Sequence, residues 1–185
     1  NSPLVSAVED AVSKGITVVA ASGNCGKAGL CGDFMGVATP GNAPNAVTVG
    51  SVDEENSVDY SSGFNFMNYI KPDVVAPVSA NSLTGTSAST PFVAGAAALL
   101  IEKYNANPVE VKSLIEQNSK DLGIPGKDII FGSGKLNLDF LSETVPEIIN
   151  EPIVFNPIAP RTEISANKNI HAFSYSTKAG DWNKY

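Results

Sequence analysis

Histidine, cysteine, methionine and tryptophan are scarce in this 185-residue chain: one His, two Cys, two Met and one Trp. The single histidine, His171, and the pair Cys25 and Cys31 do not complete a tetrahedral zinc set. Basic residues are few, with 12 Lys plus Arg against 19 Asp plus Glu, and the net charge is −7. Such a chain repels the phosphates that a nucleic-acid binder must neutralise, and no basic cluster offsets this locally, so no nucleic-acid partner is expected. No apolar run is long enough to span a bilayer; "PFVAGAAALL", residues 91–100, falls well short of the roughly 20 residues required. An initiator methionine is missing as well, and the first residue lies almost on a helix start. The chain is therefore expected to be a fragment or processed product whose first half lies elsewhere, and the lack of a signal peptide carries no information.

What is present reads as a globular domain with an appendage: 43% apolar and 17% charged residues. "NSPLVSAVEDAVSKG" opens a helix, with Ser2 at the cap, Pro3 at the first helical position, Gly15 past the end, and Leu4, Val8, Ala11 and Val12 on one face. "ITVVAASGN" and "AVTVGSV" are continuous β-branched and small apolar runs, the pattern of strands buried on both faces of a parallel sheet. Residues 25–45 read as loop, and "KPDVVAP" as a short strand closed by proline. A helix from Thr86 or Ser87 to Tyr104 is apolar on every face over residues 91–100, which predicts central burial. Pro91 suits it if the helix starts near residue 88. Asn107, Pro108 and Glu110 announce a second capped helix with Val111, Leu114 and Ile115 inward. "FGSGKLNLDFL" predicts a turn and an edge strand. From Ser142 the chain turns proline-rich and aperiodic, and Ile170–Ser176 alternates. The expected fold class is α/β, a mostly parallel sheet flanked by helices, with residues 1–141 as one unit and 142–185 as a linker and the start of a β-rich extension. No internal repeat is present. Cys25 and Cys31 are close enough for a local disulfide, which would fit an oxidising compartment; two free thiols are the alternative.

In parallel sheets, sites gather at the carboxyl ends of strands. Two loops qualify, Gly23–Asn24 and the turn before Ser87. Ser87 at a helix start has a structural reading, an N-cap, and a chemical one, a nucleophile on a strand-to-helix turn whose amides favour developing negative charge. Asn24 could then supply a neutral oxyanion donor.

These residues carry a resemblance. "GTSASTPFVAG", Gly85 to Gly95, resembles the nucleophile signature of the subtilisin-like serine proteases, the subtilases, and "VVAASGN" their oxyanion-asparagine segment. "TPGNAPNAVTVGSVD" and "KPDVVAP" match the intervening segments in the same order, and the capped helix with "GSGKLNL" resembles the end of that catalytic domain. The likeness covers residues 1 to about 140 and implies a subtilisin-like fold truncated on its N-terminal side. It implies that Ser87 attacks the scissile carbonyl, that its backbone N–H and the Asn24 side chain form the oxyanion hole, and that Ala20, Ala21, Ser22 and Gly23 line the pocket for the substrate residue before the cleaved bond. The implied activity is a secreted or cell-envelope serine endopeptidase acting on peptides or proteins, with no cofactor required. Calcium as a structural ion is implied around Asp73 and the carbonyls of Ala38–Pro40.

Departures from the family pattern are Phe92 in place of the usual His, Ala88 in place of the frequent Met, and Val78 where Ala-Pro-Gly is usual, followed by a short loop to Gly85. Subtilases place Asp and His before the serine, and neither segment is in this chain. Without its base the serine is a weak nucleophile, so a missing N-terminal half carrying Asp and His is the expected partner and the chain alone is expected to be inactive. Two other classes compete. One is a catalytically inactive, protease-like binding or scaffold protein. The other is an α/β-hydrolase using His171, but "GTSAS" lacks the second glycine of G-x-S-x-G.

Overall fold

The structure is a computed structural model that describes residues 2–26, 36–58, 62–64, 69–78 and 84–144. All belong to one compact unit. The expected extension with His171, and Cys31, lie outside the described residues.

Helix α1 (Pro3–Ser13) has proline at its first position, where the N–H has no inward partner in any case. Ser2 caps it without a side-chain hydrogen bond. The stripe that packs inward is Val5 and Val8, which meet Ala20, Ala43 and Ala46. Leu4, expected on that face, is exposed. Among the described residues three strands follow: β1 (Val19–Ala21), β2 (Val47–Val52) and β3 (Val74–Pro77). All pairings are parallel in the order β1-β2-β3, with Val19 opposite Val47 and Val49 opposite Val74. Every residue of the central strand β2 is buried, so its unbroken apolar run matches its position.

Helices α2 (Thr86–Tyr104) and α3 (Pro108–Asn118) cover the face opposite α1. Val93, Ala97 and Leu100 of α2 and Val111 and Ile115 of α3 close over Val47, Val49, Val74 and Ala76. Each fully buried aliphatic side chain contributes about 1.5–3 kcal/mol relative to exposure. The alternation of a strand decides the layering: Val19 packs with the α2–α3 core and its neighbour Ala20 with the α1 side.

Three expectations are corrected here. Helix α2 starts at Thr86, one of the two expected starts, so Pro91 lies in its second turn and not the first, and it removes the helical N–H partner of the Ser87 carbonyl. Helix α2 is also not buried on every face: Phe92 is 43% and Leu99 48% exposed, although the opposite face is closed. Of the turn and edge strand expected over residues 131–141, the turn is present, but in place of the strand there are isolated bridges: Lys135 pairs in parallel with Val75 beside β3 and antiparallel with Lys120, and Gly132 pairs with Asp128. Gly132 and Gly134 take φ of 62° and 112°, which breaks the extended run, and the chain then enters a 3-10 turn at Asp139–Thr144.

Candidate active site

Parallel strands place their carboxyl ends on one side, and the loop after β1 there meets the start of α2. Asn24 lies three residues beyond Ala21, the last residue of β1. Its side-chain oxygen Oδ1 accepts from the backbone N–H of Thr86 at 3.1 Å and from the Thr86 hydroxyl at 3.0 Å. The N-cap position of α2 belongs to Gly85, which has no side chain to offer, so Asn24 serves an orphan N–H of that helix from across the fold. Ser87 therefore is not the cap. It is the second helical residue and is exposed.

Gly85 makes this approach possible. Its φ of 73° and ψ of −175° lie in a region essentially confined to glycine. A β-carbon there would come within 2.8 Å of Asn24 Oδ1 and 3.0 Å of Nδ2. With Oδ1 committed to Thr86, the residue before Ser87, the Nδ2 amide is the donor end of Asn24. The helix dipole adds partial positive charge at the same place.

The subtilase family profile (peptidase S8) matches residues 1–134. The chain belongs to the subtilase family. It is 32% identical over 171 residues to the serine protease AprX of Bacillus subtilis, covering 74% of this chain and 37% of that protein. It is 32% identical over 151 residues to subtilisin BL of Lederbergia lenta, covering 74% of this chain and 49% of the relative. Subtilisin DY of Bacillus licheniformis is likewise 32% identical, over 143 residues, covering 74% and 50%. The chain thus spans half or less of the length of these relatives.

In this subtilase the four residues expected to line the substrate pocket are differently placed. Ala20 is 7% exposed and its side chain is committed to the α1-side core, so it offers a substrate at most its backbone. Ala21 and Gly23 are half-buried. Ser22 is fully buried, its N–H donates to the Val49 carbonyl at 2.8 Å, and its carbonyl accepts from Ala38 N–H at 2.8 Å. Its hydroxyl has no hydrogen-bond partner among the described residues. The carbonyl of Gly23 accepts from Gly63 N–H at 2.9 Å. The segment is braced from both sides, which holds Asn24 in register.

Asp73 lies apart from Asn24 and Ser87, in the segment leading into β3. It is 1% exposed, and Oδ2 accepts from Lys71 Nζ at 2.6 Å and Thr48 N–H at 2.8 Å. Oδ1 faces the ammonium groups of Lys112 and Lys127, each at 3.1 Å. Burial pushes this carboxyl up, but the three ammonium groups outweigh burial and hold it below its ordinary value. A calcium ion needs six to eight oxygen ligands, and here both carboxylate oxygens are taken by lysines. The expected calcium site at Asp73 does not fit these residues.

Sequence reasoning missed Thr86, which holds Asn24 by two hydrogen bonds, and the lysine ring. Cys25 is buried and disulfide-bonded.

Proposed function

We propose that the protein is a serine endopeptidase in which Ser87 is the nucleophile and Asn24 an oxyanion donor. The observation that carries this reading is the anchoring of Asn24: its oxygen is held by Thr86, so its amide nitrogen is the end available to a substrate beside Ser87. Ser87 Oγ would attack the scissile carbonyl carbon while a general base takes the hydroxyl proton. The carbonyl oxygen gains negative charge and is met by Asn24 Nδ2 and the Ser87 N–H. Collapse expels the amine, which receives the proton, and water releases the acyl group by the reverse sequence. These steps need no cofactor.

No histidine occurs among the described residues. The base and its carboxylate partner are proposed to come from an N-terminal segment carrying His and Asp. The open face of α2, with Phe92 and Leu99 exposed, supports a further layer of protein there. The bonded Cys25 favours an extracellular or cell-envelope setting. No helix among the described residues is long and apolar enough to cross a membrane.

The test uses the full-length protein. A fluorophosphonate should label Ser87, and Ser87→Ala should abolish both labelling and peptide hydrolysis. Unlabelled full-length protein with an intact fold would instead make this a protease-like scaffold.

A further inference from the structure

The oxygens around Lys71 form a cation cage rather than a single ion pair. The Lys71 ammonium lies 2.9 Å from the Ala46 carbonyl, 3.4 Å from the Pro44 carbonyl and 2.6 Å from Asp73 Oδ2. The side chain is 1% exposed. One carboxylate with two loop carbonyls is a hard-oxygen set of the kind that holds alkali and alkaline-earth ions. Lys112 approaches from α3 and touches the same three groups: the Pro44 carbonyl at 2.8 Å, the Ala46 carbonyl at 3.2 Å and Asp73 Oδ1 at 3.1 Å.

We propose that the Lys71 ammonium is the resident cation of this site, a covalent replacement for a free metal ion. Lys112 is the reserve cation at the rim. The device fastens the loop over residues 41–46 to the entry of β3. That loop matters to the catalytic end of the sheet, because the preceding Ala38 N–H bonds the Ser22 carbonyl two residues before Asn24. Charge at the site is set by Lys71, Lys112 and Lys127 against Asp73, with Glu116 holding Lys127 at 2.9 Å on the outer side.

The experiment measures the thermal midpoint of the full-length protein with a chelator and with up to about 10 mM calcium, sodium or potassium. Midpoint changes from ions bound elsewhere are subtracted with Asp73→Asn, so the readout is the Asp73-dependent part. Wild type and Lys112→Ala should shift by less than about 1 °C. Lys71→Ala, Lys112→Ala, with both ammonium groups on the carbonyls removed and only Lys127 left on Asp73 Oδ1, should rise by about 5–10 °C once the ion exceeds its dissociation constant roughly a hundredfold. Adding Asp73→Asn to that variant should remove the rise. If the double variant does not fold in chelator, its refolding yield with and without the ion gives the same readout. An Asp73-dependent rise in wild type, or no response of the double variant to any of the three ions, would overturn the proposal.

Discussion

Asn24 uses the two ends of one amide for two purposes. Its oxygen ties down the first N–H of α2 through Thr86, and its nitrogen is the proposed oxyanion donor. The two roles separate by substitution. Asn24→Asp keeps an acceptor for Thr86 but replaces the donor with a second oxygen. Turnover should fall by at least about 10²–10³, with KM nearly unchanged and the thermal midpoint close to wild type. Asn24→Ala loses both ends, so a similar fall in turnover should come with about 1 kcal/mol of stability. Steady-state kinetics and urea unfolding on the full-length variants check this; retained turnover in Asn24→Asp would remove the donor role. The sequence displayed Asn24 and Ser87 as candidates because Asn24 follows a buried apolar strand and Ser87 opens an apolar helix. It did not display that Ser87 is exposed and uncapped, since Gly85 takes the cap position only in the folded chain.

At the scale of elements, α3 was the most legible. Asn107 Oδ1 accepts from Val109 and Glu110 N–H at 3.0 and 3.1 Å, and Glu110 returns a bond to Asn107 N–H at 2.8 Å. Both halves are local, so the spacing in "NPVE" sufficed. Asn107→Ala should cost about 0.5–2 kcal/mol in urea unfolding with kcat unaltered, because the cap lies far along the chain from Ser87 and touches neither it nor Asn24. Helix α2 was legible as a helix but not in its burial. An all-apolar segment says that it has neighbours; it does not say on how many sides. The segment after Phe131 was misjudged for a local reason. The sequence pattern predicted a turn and an edge strand, while the positive φ of Gly134, whose β-carbon would press on the Lys120 carbonyl, leaves only isolated bridges at Lys135.

For the whole molecule, the Asp73 cluster joins a loop, two strands and α3, and its titration should govern stability at both ends of the pH scale. Asp73 is depressed in the fold, so its contribution is complete above the unfolded value near 3.8 and is lost as pH falls through the lower folded value. Lys71 behaves oppositely to a surface lysine. Burial, with Lys112 adding repulsion and Asp73 only partly compensating, lowers it from 10.5 to about 8. Between about pH 8 and 10.5 the unfolded chain holds this proton and the folded chain does not, so the stability of wild type relative to Lys71→Met should rise across that window. Urea unfolding of the two proteins from pH 7 to 11 measures the difference; a flat or falling difference would place the titration elsewhere.

Composition, turn residues and apolar periodicity settled the α/β class and the order of helices and buried strands, because each depends on contacts or preferences within a few positions. The packing of α1 through Val5 rather than Leu4, the open side of α2, the commitment of Ala20 to the core and the lysine cage around Asp73 were decided by the folded chain. Each depends on which distant segment arrives opposite: Asn24 meets Thr86 across 62 positions and Lys127 meets Asp73 across 54. A residue's type states what it can do, and its partners across the fold select which of those things it does.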